Sequence, residues 1–332
     1  LTVAQVHDEL PFMYNRAIVD PESFDMTIRS PDCQTRLFAP PNMSVPNADY
    51  MAGLYASTLI KDAGTLQIGI GSLGDAIVYA CQLRHAHNDD YKDLVDSLNI
   101  DSAQIESIGG VSRFDKGLYG SSEMFVNGFM HLITSGIVKR EVYDDLDLQS
   151  LLNEEKITET VNAEMIQCLV DEAVIGHRLS HSDFLYLQHW GILKSELEWS
   201  DEGIWLDGEC IGLNLEEPST FDKLCELCLG EKLKGGVYMH GGFYLGPQDF
   251  YQTLREMPRA QSEKICMSSV GHINQLDYDQ PLLSEQRRHA RFINTGMMVT
   301  LSGAVVSDGL ENGTVVSGVG GQYNFVAMAH AL

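Results

Sequence analysis

Apolar residues recur along the chain in short runs, each followed by a glycine-rich turn and then by a stretch with helical spacing. Asn47 to Lys61 predicts a helix, with Asn47 able to cap it. Thr65 to Ile68 predicts a short strand, Gly69 to Gly74 a glycine loop, and Asp75 to Leu83 an apolar helix. The same order repeats twice. Gly117 to Ser122 reads as a strand running into a turn, before helical spacing over Phe125 to Ser135 that Gly136 closes. Gly236 to His240 reads as a strand, Gly241-Gly242 as a turn, and Pro247 to Met257 as a helix with proline in its first turn. Ile265 to Ser268 and Phe292 to Asn294 are further strands. Thr314 to Ser317 is expected to be the last, followed by the loop Gly318-Val-Gly320-Gly321 and a helix from Gln322. Strands alternating with helices argue for an α/β fold. The stretch up to Pro46 is broken by Pro11, Pro21, Pro31, Pro40 and Pro41, and reads as extended pieces and turns.

Charge changes this picture in one region. The 332 residues carry 22 Lys/Arg and 47 Asp/Glu, a net charge of −25. Residues 141–231 hold 22 of the acids and only 4 of the bases, a net of −18. That stretch, with helical patches such as Glu159 to Ala173, is expected to be an acidic, mainly helical insertion on the α/β body. So acidic a chain is unsuited to nucleic acid or to an anionic membrane surface. It has no uninterrupted apolar run of roughly 18 residues, so no membrane span is expected. The start at Leu1 lacks the basic and apolar regions of a signal peptide. Seven scattered cysteines fit reduced thiols in a cytoplasmic protein better than a disulfide framework. The chain begins without Met and stops inside an expected helix, which points to a piece of a longer protein.

Several motifs carry candidate chemistry. Gly69-Ile-Gly71-Ser72-Leu-Gly74 fits a dinucleotide fingerprint, with Asp89 and Asp90 at the required distance. The approach to those acids, Gln82-Leu-Arg-His-Ala-His-Asn88, is too polar for the buried strand the fingerprint needs, which disfavours a nicotinamide oxidoreductase. Such a loop still offers backbone N–H groups to phosphate or carboxylate, or is simply a tight turn. Gly318 to Gly321 is a second loop of this kind, and two of them suggest one crevice for an anionic ligand. Glu123 is expected where a strand ends and a helix begins. There it either faces that crevice or complements the helix dipole. His177 and His181 have i, i+4 spacing with Asp183 and His189 nearby, but no H-E-x-x-H accompanies them. Cys225-x-x-Cys228 lacks a second pair, so no metal is expected. Arg287 and Arg291 are expected on one helix face, able to hold phosphate or to pair with nearby acids. No G-x-S-x-G elbow occurs.

Three blocks in this order resemble the acetyl-CoA hydrolase/transferase family, a branch of the family I CoA-transferases that includes 4-hydroxybutyrate CoA-transferase. They are Thr65-Leu-Gln-Ile-Gly-Ile-Gly-Ser-Leu-Gly-Asp-Ala76, Gly120-Ser-Ser-Glu-Met-Phe-Val-Asn-Gly128 with Leu132-Ile, and Ser317-Gly-Val-Gly-Gly-Gln-Tyr-Asn-Phe325. The resemblance implies an open mixed sheet flanked by helices, of the NagB/RpiA/CoA-transferase-like type. It implies residues 1–46 as a linker from an upstream domain and 47–332 as the catalytic domain, interrupted by the insertion. It implies Glu123 as nucleophile, with Gly320 and Gly321 as oxyanion donors. Gly69, Gly71, Ser72, Gly318, Gln322 and Asn294 would bind substrate or coenzyme A, the Gly69–Gly74 loop lining the same crevice. Acyl-CoA and a small carboxylic acid would then be the partners, with coenzyme A as substrate and no permanently bound cofactor; self-association is also implied. Gln322-Tyr-Asn stands where Q-V-D is commoner in the family. Hydrolysis at the same site and a non-catalytic acyl-CoA-binding module are the competing functions.

Overall fold

A computed structural model describes residues 1–40, 43–318 and 320–332; Pro41 and Val319 of the sequence reading lie outside the described residues. The chain divides into two compact units, one made of residues 1–141 and 237–332, the other of residues 142–236.

The first unit is built on five short strands, β1 (Thr65–Ile68), β2 (Tyr119–Val126), β3 (Met239–Leu245), β4 (Ile265–Met267) and β5 (Arg291–Ile293), in the order β5-β1-β2-β3-β4. All four pairings are parallel, so this sheet does not mix strand directions as expected. The open, helix-flanked α/β architecture is the one read from the sequence. Parallel strands joined by helices are covered on both faces, and all four residues of β1 are buried accordingly. Its two polar members are satisfied sideways. Thr65 Oγ1 donates to the carbonyls of Gln286 and Arg288, and Gln67 exchanges amide hydrogen bonds with Asn294, the residue after β5, at 3.2 and 3.3 Å.

Helices α1 (Asn47–Thr58) and α2 (Ser72–Ala86) pack closely, since a Cβ at Gly53 would lie 2.7 Å from the Ala76 carbonyl carbon. Pro46, not Asn47, holds the cap position of α1, and Asn47 is its first helical residue. Helix α2 begins three residues before Asp75, because Gly71 takes φ +115° and turns the chain into the helix at once.

Strand β2 runs four residues past Ser122. Six of its residues register with β3, from Gly120 against Met239 to Val126 against Leu245. This long-range pairing, with Phe125 and Val126 buried, outweighs the local helical spacing. Helix α3 therefore covers Asn127–Thr134, and Gly136 closes it in the left-handed region as expected. Strand β3 likewise passes straight through Gly241-Gly242. Side chains there would press on Met267 and Phe125 at one position and on Val270 at the other. Helix α4 (Gln248–Glu256) follows, then α5 (Val270–Asn274) and α6 (Gln322–Ala331). Thr314 to Ser317 forms no strand, only a bridge from Val315 to Gly309.

The second unit has its own core, including Tyr143, Ile166, Leu187, Trp190 and Ile211. Its acids serve in part as helix caps. Asp145 caps Leu146–Asn153, and Ser180 with Asp183 forms a capping box on His181–His189. Beside these helices lies a three-stranded antiparallel sheet of Glu198–Ser200, Gly203–Leu206 and Glu209–Ile211, which the charge pattern did not reveal. Among the described residues no helix is long and apolar enough to cross a membrane.

Candidate active site

Glu123 lies inside β2, three residues before its end, rather than at the strand-to-helix junction expected from the sequence. Ser122 Oγ donates to the Ile68 carbonyl at 3.3 Å, so the backbone at Glu123 adjoins the start of the first glycine loop. The half-buried Glu123 carboxylate meets two other elements. Asn274, the last residue of α5, donates from Nδ2 to Glu123 Oε2 at 2.6 Å. Gly321, which precedes α6, leaves no room for a side chain, because a Cβ there would run into Glu123 Oε2 and sit 2.8 Å from Asn274 Nδ2. Behind them, a Cβ at Gly242 of β3 would lie 3.0 Å from the Glu123 carbonyl oxygen. A carboxylate held by a charge-assisted bond between close-packed backbones is oriented before any ligand arrives. Asn274 is buried, and its Oδ1 has no hydrogen-bond partner among the described residues.

A buried polar set sits farther back on β2 and β3. The Tyr119 hydroxyl and His240 Nδ1 lie 2.7 Å apart, and burial pushes the Tyr119 phenol up to about 12. His240 is held well below the ordinary histidine value, first by burial and then by His272, Arg16 and Arg287. The Arg140 guanidinium stands 5.5 Å over the Tyr119 ring.

The first glycine loop borders a small cavity of about 90 Å³ at the carboxyl ends of β1, β2 and β3. Gly69, Gly71, Ser72, Asp75, Asn127 and Gly246 line it, with Ile68, Val126 and Leu245 as apolar wall. Side-chain positions at Gly69 and Gly71 face open space. Ser72 Oγ is engaged by the Asp49 carboxylate. Partial burial raises the Asp75 pKa, and His131 opposes that shift. Among the described residues, neither Glu123 nor Gly318, Gly320 or Gly321 of the second glycine loop lines this cavity.

Residues 246–332 match the family model of the acetyl-CoA hydrolase/transferase C-terminal domain. The segment that supplies Asn274 and Gly321 lies within that match, in line with the resemblance read from the sequence. A solved RipA variant is similar in fold, at 15% identity and a TM-score of 0.51, covering 99% of this chain and 44% of that one. RipA from Yersinia pestis gives 15% identity over 99% and 43% of the two chains, with a TM-score of 0.48. 4-Hydroxybutyrate CoA-transferase from Porphyromonas gingivalis gives 16% identity over 83% and 38%, with a TM-score of 0.37. The chain thus spans less than half the length of these solved structures. No curated protein matches it.

The second glycine loop lies within the segment that matches this family model. Gly321 abuts Glu123, Gly320 has φ +57°, and side-chain positions at Gly318 and Gly320 point into open space. Gln322 opens α6. Asn294, just past the end of β5, exchanges amide hydrogen bonds with Gln67 of β1. Asn274 was missed, because nothing local in Val270-Gly-His-Ile-Asn marks a partner 151 residues from Glu123.

Other motifs resolve differently. His181 opens a helix capped by Ser180, and His177 lies before it, so the two histidines do not share a helix face. His181 and His189 pack instead on Trp199 and Trp190. Cys225 and Cys228 lie in a π-turn, where burial pushes both thiols up to about 11. The helix expected to carry Arg287 and Arg291 ends at Gln286, and Arg291 belongs to β5. Both arginines bind carbonyls. Arg291 donates to those of Leu59 and Ile108, Arg287 to those of His272 and Gln275.

Proposed function

We propose that this protein moves coenzyme A between an acyl-CoA and a free carboxylate, with Glu123 as the covalent nucleophile. The observation that carries the reading is the Glu123 carboxylate pinned by Asn274 at 2.6 Å and pressed by Gly321. Oε2 is engaged by Asn274, so attack falls to Oε1. Oε1 adds to the thioester carbonyl, the C–S bond breaks, and coenzyme A leaves as thiolate from an acyl-glutamyl anhydride. The thiolate then adds to the glutamyl carbonyl and expels the acyl group as a carboxylate, leaving a glutamyl-CoA thioester. A second carboxylate runs the same two steps in reverse. Each exchange is nearly balanced in energy because the thioester bond is conserved, and carboxylate nucleophiles of this kind need no metal.

Both tetrahedral intermediates develop an oxyanion. The Gly320 and Gly321 N–H groups, at the start of α6 beside Glu123, are the donors this reading assigns. The Gly69–Ser72 loop and its cavity would hold part of the substrate at the start of α2. On this reading residues 47–332 form the catalytic body, 141–231 an insertion and 1–46 a connecting segment. Seven free cysteines suit a cytoplasmic setting.

The test is turnover of acetyl-CoA with and without an acceptor acid, in wild type and Glu123→Gln. Acceptor-dependent CoA transfer that Glu123→Gln abolishes supports the proposal. Turnover independent of the acceptor makes the protein a hydrolase. Ligand binding without turnover in wild type makes it a binding module.

A further inference from the structure

We infer that Arg287 is a positioning residue for Glu123, a side chain that ties down both elements flanking that carboxylate. The inference rests on the reading of Glu123 as nucleophile. Arg287 is 2% exposed. Its guanidinium donates to the His272 carbonyl at 2.7 Å and to the Gln275 carbonyl at 3.2 Å. Those two carbonyls bracket Asn274 in the chain. Helix α5 has only five residues, too few to hold its own shape, so its end needs an outside support. One planar fork spanning two carbonyls supplies it.

The same guanidinium reaches Met328 Sδ on α6, the helix that starts beside Gly321. Around it Ile273, Leu276, Leu283, Phe325 and Met328 form one small apolar cluster, which joins α5 to α6. Arg287 therefore sits at the seam between the element that brings Asn274 to Glu123 and the element that brings Gly321. Among the described residues its Nε is buried without a hydrogen-bond partner, and the guanidinium donates to two carbonyls and a thioether rather than to a carboxylate. Burying a guanidinium on such terms gains little stability, which fits a residue retained for geometry.

Arg287→Lys keeps the charge but cannot bridge two carbonyls with one fork. Arg287→Met keeps the length and removes the charge, and serves if the lysine variant does not fold. Arg84→Lys is the matched control. Arg84 is equally buried and donates to the carbonyls of Ser112, Ser57 and Ile60, away from Glu123. Arg287→Lys is expected to lower kcat per folded molecule by about 10- to 100-fold with KM nearly unchanged, as misplacement of a reacting group does. Arg84→Lys is expected to lower the unfolding midpoint while leaving kcat near wild type. Crystal structures of the Arg287 variants should show Asn274 Nδ2 and Glu123 Oε2 separated beyond hydrogen-bond reach. Unchanged kcat in Arg287→Lys, or a loss no larger than in Arg84→Lys, overturns the inference. So does an Asn274–Glu123 bond that survives in the variant crystals. A wild-type protein without turnover sinks the functional reading instead, and the crystal comparison still decides the role of Arg287.

Discussion

Gly321→Ala is the sharpest perturbation of the site, because only sterics change. Gly321 has φ −87° and ψ 6°, a conformation that alanine adopts without strain. The added methyl has nowhere to go, since it meets Glu123 Oε2 and lies 2.8 Å from Asn274 Nδ2. Either the carboxylate turns away from Asn274 or α6 shifts. A hydrogen bond to a charged group contributes about 1.5–3 kcal/mol. Its loss from an aligned nucleophile lowers the rate of the covalent step by about tenfold to a hundredfold, at roughly 1.4 kcal/mol per decade. Gly320→Ala is the companion. There φ is +57° and a Cβ meets nothing within 4 Å, so it should cost about 1–2 kcal/mol of stability and spare the chemistry. Stopped-flow release of CoA from acetyl-CoA, scaled to folded protein, separates the two. Wild-type release by Gly321→Ala, or an equal loss in both variants, would refute the steric reasoning.

Asn274→Ala should lower the same rate by a similar factor, and the double variant with Gly321→Ala should lose little more, since both break one bond; additive losses in the cycle would contradict that. His240 is kept neutral by burial, so the unfolded chain binds the extra proton below pH 6.5, and stability should fall by up to about 1.4 kcal/mol per pH unit as pH drops from there toward the depressed folded value. Above pH 6.5 the penalty is absent. Denaturant melts from pH 7 to 5 should show a shallower slope in His240→Gln; an identical slope would mean that His240 titrates normally.

The parts of this protein legible in its sequence are those fixed locally. Strand β1 ends where it was read, because Gly64 and Gly69 flank a buried run of four residues. Gly136, in the left-handed region just past Thr134, closes helix α3 for the same kind of reason. The extent of β2 was not legible, because pairing with β3 more than a hundred residues away decides it. Spacing failed for the histidines and arginines in a shared way. His177 and His181, and Arg287 and Arg291, have the right intervals, but Ser180 starts one helix between the first pair and Gln286 ends another before the second. Glu123 is singled out by its block in the sequence, whereas the residues the fold brings to it are not. Asn274 reaches it only because β3, β4 and α5 stack in order, and Gly321 because α6 packs on α5 through Phe325 and Met328.

The central claim is that Glu123 carries the transferred group. Incubation with acetyl-CoA, mild borohydride reduction and peptide mass spectrometry test it most directly. The account predicts a mass change confined to the peptide containing Glu123, lost when acetate is added before reduction. A protein that binds and turns over acetyl-CoA with Glu123 unmodified would contradict it.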